Sequence, residues 1–147
     1  MRLHRSIDID LAQDASLLLA EAIVFGRLAM GEVVEVGHLF DRWRVRRGGR
    51  LVFAETVRLD GAISRKLAAP AVAAGGVAVA TVLMVPGDDA KVATIRALDH
   101  LAGEVGVSTW NGIAVARLCA KDGAALRRDL VAVLTALGTP LPRLWLN

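Results

Sequence analysis

Two glycines, Gly48 and Gly49, separate two stretches in which apolar and polar residues alternate. Alternation with period two is typical of half-buried β-strands, and a glycine pair between two such stretches indicates a hairpin. A three-residue loop, residues 48–50, would place both apolar sets on one face, whereas a two-residue loop would place them on opposite faces. We therefore predict the longer loop with a bulge. The apolar face comprises Trp43, Val45, Leu51, Phe53, Val57 and Leu59, with Glu55 as an exception, and Arg42, Arg44 and Arg46 line the opposite face.

Further strands and two helices are predicted along the rest of the chain. Residues 6–11 alternate, residues 16–25 favour a strand over a short helix, and residues 113–119 form a short apolar run bounded by turns. Asp88 or Asp89 caps a helix over about residues 89–102, and Asp122 caps a second helix that ends at Gly138. The sequence predicts a single, mainly β (α+β) domain over residues 1–147, with two helices near its C-terminus.

An uncharged run over residues 67–87 is long enough to cross a bilayer. It consists mostly of Ala, Val and Gly and is interrupted by Pro70 and Pro86, so we interpret it as a loop followed by a buried strand over residues 77–85. The N-terminal segment has charges where a signal peptide has its apolar core. One cysteine, Cys119, excludes an intramolecular disulfide framework, and a cytoplasmic location without membrane attachment is expected.

The charge is concentrated in one segment. Residues 42–66 contain eight Lys and Arg against two acidic residues, whereas the chain as a whole has a net charge of only +3. A solvated strand face, a docking surface for an acidic protein and a nucleic-acid surface are the three interpretations. The nucleic-acid interpretation is weak because only 4% of residues are aromatic, and base stacking needs aromatic side chains. The 54% hydrophobic composition also predicts apolar surface that a partner protein covers.

The sequence contains no recognisable catalytic or metal-binding motif. The chain has no G-x-S-x-G nucleophile motif and no glycine loop followed by Lys-Ser/Thr, and its carboxylate pairs are too generic to assign to catalysis. His4, His38 and His100 are scattered, and Cys119 lies in an apolar run. We therefore expect no enzyme, no catalytic residues and no permanently bound cofactor, while transient handling of an ion by carboxylates stays open.

Three blocks of sequence resemble one protein family. The segment Asp14-Ala15-Ser16-Leu17 … Glu21 … Gly26-Arg27-Leu28-Ala29-Met30-Gly31-Glu32 is similar to a conserved-looking block of the urease accessory protein UreD, also called UreH. The Arg-rich hairpin with Arg58-Leu59-Asp60-Gly61, and the ending Pro142-Arg143-Leu144-Trp145, resemble the same family. Family members are much longer, and their N-terminal glycine-rich block has no counterpart here. The resemblance therefore covers the C-terminal portion of the family only.

The resemblance implies a sheet-rich, β-helical fold with two helices and a role as a scaffold rather than an enzyme. Such a scaffold binds apo-urease, together with the accessory proteins UreF and UreG, while nickel is inserted with GTP hydrolysis. The family is also associated with an internal passage for nickel, whose lining residues in this chain stay open. The alternative function is a nucleic-acid-binding module that uses the hairpin of residues 42–50. The candidate partner-binding residues are Arg27, Glu32, Arg42, Arg44, Arg46 and Trp145.

Overall fold

A computed structural model describes residues 2–25, 36–62 and 78–143. These residues form seven strands and two helices, which confirms a mainly β chain with two helices near its C-terminus. The strands are β1 (Arg2–Leu11), β2 (Leu17–Val24), β3 (Val36–Arg47), β4 (Arg50–Ala62), β5 (Ala78–Val85), β6 (Glu104–Trp110) and β7 (Ile113–Ala120). The helices are α1 (Asp89–Arg96) and α2 (Gly123–Ala136).

The strands form two sheets that pack face to face. One sheet has the order β1-β3-β4, in which β1 runs parallel to β3 and β4 runs antiparallel to it. The other sheet has the order β2-β5-β7-β6 and is antiparallel throughout. Trp43 and Phe53 of the first sheet pack against Leu83 and Val115 of the second, while α1 and α2 cover the outer face of the second sheet. The result is three layers: three strands, four strands and two helices.

The four-stranded sheet is the central layer, and its inner strands are buried on both faces. Along β5, Leu83 and Val85 face the three-stranded sheet, whereas Val82 and Met84 face the helices. This explains the uninterrupted apolar sequence of β5 and confirms the buried strand predicted there. The loop predicted before it lies outside the described residues. Within the described ranges, no helix is both long and apolar enough to cross a membrane.

The β3–β4 hairpin differs from the prediction in loop length. Arg47 pairs with Arg50, so the loop contains only Gly48 and Gly49, whose φ angles of 57° and 78° suit a tight two-residue turn. A bulge follows, because the pairing shifts between Val45 and Arg46. The predicted bulge is therefore confirmed, and the predicted three-residue loop is wrong.

The bulge decides which side chains enter the core. It leaves Val52 as the extra residue and turns Phe53 onto the same face as Val45, as predicted. Leu51 was expected on that face as well, but it lies opposite Arg46 before the bulge and is 44% exposed.

Both helix caps are confirmed, but the first helix is shorter than predicted. The carboxylate of Asp88 accepts a hydrogen bond from the Lys91 amide at 2.7 Å, and that of Asp122 accepts one from the Ala125 amide at 2.7 Å. Helix α1 ends at Arg96, and the chain then forms β6, a strand that we did not predict. The sequence signal for it was the Asn111-Gly112 turn, whose positive φ angles join β6 and β7 as a hairpin.

A buried carboxylate on α2 holds the connection between α1 and β6. Asp129 is 3% exposed, and its two oxygens accept hydrogen bonds from the amides of Ala102 and Gly103, each at 2.7 Å. The carboxylate therefore replaces the secondary-structure partners that these two amides lack in a loop.

We expect Asp129→Ala to lower the free energy of unfolding by about 2–3 kcal/mol, because two amides lose a charged partner. Urea denaturation followed by circular dichroism measures this change. Arg128→Ala, on the exposed side of α2, is the control and should change stability by less than about 0.5 kcal/mol. Equal stability of the two variants would contradict the role assigned to Asp129.

Candidate functional site

A cleft of about 620 Å³ lies between the two sheets. Its walls are mostly apolar, with side chains such as Leu39, Leu59 and Val79. Both sheets also contribute polar groups to it: the lining includes Asp41, Glu55, Thr81, Glu104 and Arg117. Ionisable groups between packed sheets need partners, because an unpaired charge away from water is strongly destabilised.

Asp41 is the most buried of these carboxylates, and all of its partners come from the sheets. Its oxygens accept hydrogen bonds from Arg5 Nε at 3.0 Å and Arg5 Nη2 at 2.6 Å, since β1 and β3 pair these two residues. Trp43 Nε1 donates to both oxygens at 3.1 Å. The carboxylate of Asp41 is therefore fully occupied by protein groups.

Arg5 extends this cluster to the second sheet. Its Nη1 atom also bonds the carboxylate of Glu21 on β2, so a single guanidinium links β1, β3 and β2. The hydrogen bond to Asp41 raises the pKa of Arg5, and the negative charges of Asp41 and Glu21 act in the same direction against the effect of burial. Arg5 thus stays charged and holds the two sheets together at this end.

A second ion pair crosses the cleft near β4. Arg117 Nη2 on β7 lies 2.6 Å from Glu55 Oε1 on β4. This contact accounts for Glu55, the polar exception on the apolar face of the hairpin: its partner comes from the facing sheet. Glu104 lines the cleft beside this pair but lies on an exposed strand position.

The predicted arginine face is present. Two of its three arginines, Arg42 and Arg44, bond to groups of the three-stranded sheet. Arg42, Arg44 and Arg46 lie on the side of β3 away from the cleft, opposite in the pleat to Trp43 and Val45. Arg42 Nη1 lies 3.2 Å from Asp8 Oδ1. The Nη1 atom of Arg44 donates to the carbonyls of Trp43 and Glu55 at 2.7 and 2.9 Å.

The other predicted partner residues are not brought to this face by any described contact. Arg27, Glu32 and Trp145 lie outside the described residues, so their predicted role stays a prediction, as does that of the three arginines. In residues 2–25, 36–62 and 78–143, no three His, Cys, Asp or Glu side chains form a group that could hold a metal ion.

Sequence reasoning missed Asp41 and Arg117, which line the cleft. It also missed Arg5, which bonds Asp41, and Glu21, which bonds Arg5. Asp41 carried a usable signal, because it shares the period-two face of Trp43 and Val45 and therefore points into the core. Its partner could not be read from the pattern, since Arg5 lies 36 residues earlier in the chain.

The fold and the site define a sheet-rich protein in which ion pairs join two packed sheets across an open cleft. The model of the family described as "UreD urease accessory protein" matches residues 2–146, and the chain belongs to this family.

Similar proteins support the same assignment. The chain is 63% identical over 148 residues to urease accessory protein UreD 3 of Bradyrhizobium sp. strain BTAi1, covering 99% of this chain and 53% of that relative. It is 59% identical over 147 residues to urease accessory protein UreD of Rhodopseudomonas palustris strain BisA53, covering 99% of this chain and 51% of that relative. The chain thus spans about half the length of the curated relatives it matches.

Removal of the Asp41 carboxylate tests its role in joining the sheets. Asp41→Ala leaves Arg5 and the Trp43 indole without their main partner, so we expect the free energy of unfolding to fall by about 2–4 kcal/mol. Asp10→Ala, on the exposed face of β1, is the matched control and should change it by less than about 0.5 kcal/mol. Urea denaturation provides the comparison, and a loss no larger than in the control would refute the role.

A pH-dependent contribution comes from Asp60 on β4. Arg58 Nε donates to its carboxylate at 2.7 Å, and this bond, together with the contact to His38, lowers the pKa of Asp60 below its ordinary 3.8. A carboxyl group with a lowered pKa stabilises the fold above its unfolded-state pKa, and this contribution is lost as the pH falls through the folded-state value. We expect wild type to be more stable than Asp60→Asn at pH 7, with the difference shrinking as the pH falls below 3.8 and through the lowered folded-state pKa. Thermal melts of both proteins across this pH range test the sign, and a difference that grows on acidification would contradict it.

Proposed function

We propose that this chain acts as a non-catalytic scaffold in the cytoplasm that holds apo-urease, UreF and UreG together while nickel is inserted. The family match over residues 2–146 carries the proposal. It is supported by relatives that are named urease accessory proteins and are about 60% identical over nearly the whole of this chain. Since the chain spans about half of those relatives, the activity of the whole protein is proposed for it by extension.

Within this role, we assign the transient handling of nickel to the cleft between the sheets. Carboxylate oxygens bind divalent ions, and three acidic side chains line the cleft. Asp41 is excluded as a ligand because Arg5 and Trp43 already occupy both of its oxygens. Glu55 and Glu104 remain, so nickel would be contacted in passing rather than bound as a resident cofactor.

Nickel can bind the Glu55 carboxylate only if it displaces the ion-pair partner of that carboxylate. An incoming divalent cation must compete with Arg117, whose guanidinium lies 2.6 Å from the same carboxylate. Arg117 is half exposed, so it can swing toward water when a cation takes its place. Weak, exchangeable binding of this kind suits delivery better than storage.

The outer arginines are proposed as part of a protein-binding surface, with Arg27, Glu32 and Trp145 as further candidate contacts. A nucleic-acid function for residues 42–50 is the weaker alternative. Arg42 already pairs with Asp8, and Arg44 with backbone carbonyls, so fewer free donors face a phosphate backbone.

The test expresses this chain together with the urease genes of a Bradyrhizobium strain. The UreD gene is deleted from that set of genes. Glu55→Gln with Glu104→Gln should lower the nickel content and activity of the urease severalfold, because the cleft loses its two available carboxylates. Asp10→Asn, which removes an exposed carboxylate outside the cleft, is the control and should have no effect.

A second measurement separates docking from nickel handling. The affinity-tagged chain should retain UreF and apo-urease in both the wild-type and the Glu55/Glu104 proteins, since the substitutions lie inside the cleft. Failure of the folded chain to form any complex at micromolar concentration would overturn the scaffold proposal. A retained complex with unchanged nickel content in the variant would overturn the role of the cleft alone.

A further inference from the structure

In the described part of the chain, one sheet has three strands and the sheet packed against it has four. Arg5 on β1 bonds Glu21 on β2, and Glu55 on β4 bonds Arg117 on β7. The three strands of one sheet therefore cover β2, β5 and β7 of the other, and no described strand lies over β6. We call the side of β6 that faces the three-stranded sheet the β6 ledge; it carries Glu104, Gly106, Ser108 and Trp110.

The β6 ledge is open and partly apolar. Trp110 is 39% exposed, although its ring lies 6.0 Å from that of Phe53 in the core. A Cβ atom placed on Gly106 would meet no atom within 4 Å, so the space above the strand is empty of described groups. Glu104 and Gly106 also line the cleft, which therefore reaches the ledge.

The strand that borders the ledge has one edge that pairs with no described strand. Among the described strands, β4 pairs only with β3, so its other edge faces the space above β6. The Val52 carbonyl accepts a hydrogen bond from Asn111 Nδ2 at 3.5 Å, so an added strand would use the part of β4 that follows Val52. An open edge beside an exposed apolar surface is a template for an added strand, which gains main-chain hydrogen bonds from the edge and side-chain contacts from the surface.

The geometry disfavours a second copy of the chain as the occupant. Antiparallel pairing of the β4 edges of two copies would place the second β4 over the first copy's β6, but the second copy's own β6 would then overlap the first copy's β7. Antiparallel association through β4 is therefore blocked, whereas a single added strand fits. Its surface thus opposes edge-to-edge association of identical chains.

We infer that the ledge is filled by one extended strand from the half of the family's chain that this chain does not match. The relatives are about twice as long as the matched region, so such a segment exists in each of them. Its side chains toward β6 would be apolar over Trp110 and small over Gly106. This strand addition does not depend on nickel or on urease.

The test co-expresses this chain with the unmatched half of UreD 3 from Bradyrhizobium sp. strain BTAi1, so that the two polypeptides can fold together. We expect a one-to-one complex by size-exclusion chromatography, in which β4 amides are more protected from hydrogen exchange than in this chain alone. Gly106→Arg fills the space over the ledge and should weaken the complex about tenfold or more, a change of about 1.4 kcal/mol.

Thr109→Arg is the matched control, because it places the same side chain on the same strand but on the face toward the helices, where residue 109 is exposed. It should bind like wild type, and thermal melts verify that both variants are folded. No complex, a complex without protection of β4, equal binding by Gly106→Arg, or dimerisation of this chain through β4 would each overturn the inference.

Discussion

Burial of the β5–β7 pair on both faces is the constraint on which this architecture depends. Side chains such as Leu83 and Val115 need a cover on one side, and Val82 and Ala116 need one on the other. The three-stranded sheet and the two helices provide these covers, and their own polar faces then meet water. The high apolar content of the chain follows from this arrangement, since a middle layer has no solvent-facing side.

Ion pairs between the sheets interrupt the apolar packing of the two facing surfaces. They lie where a cleft separates the two sheets. Arg5 with Asp41 and Glu21, and Arg117 with Glu55, satisfy charges that the interior would otherwise expel. They also keep a cleft open where leucine or valine would have closed it.

Local patterns predicted most of the secondary structure but not the cleft. The hairpin around Gly48, the buried strand β5 and the cap at Asp122 follow from periodicity and turn chemistry within a few residues. Helix α1 was overextended because residues 97–102 keep an apolar spacing that the β6–β7 hairpin overrides. The pairing of Arg5 with Asp41 depends on which strands become neighbours, and no local pattern contains that information. The proposed function rests on the matched family rather than on any single residue.

The parallel pairing of β1 with β3 has a consequence for the order in which the chain folds. These two strands become neighbours in one sheet only after the chain has crossed to the other sheet to form β2 and returned. The β3–β4 and β6–β7 hairpins need no such crossing and can form within microseconds. The β1–β3 pairing joins residues 36 positions apart and the β2–β5 pairing joins residues 54 to 68 positions apart, so both are expected to form after the hairpins, with β2–β5 closing the longer loop.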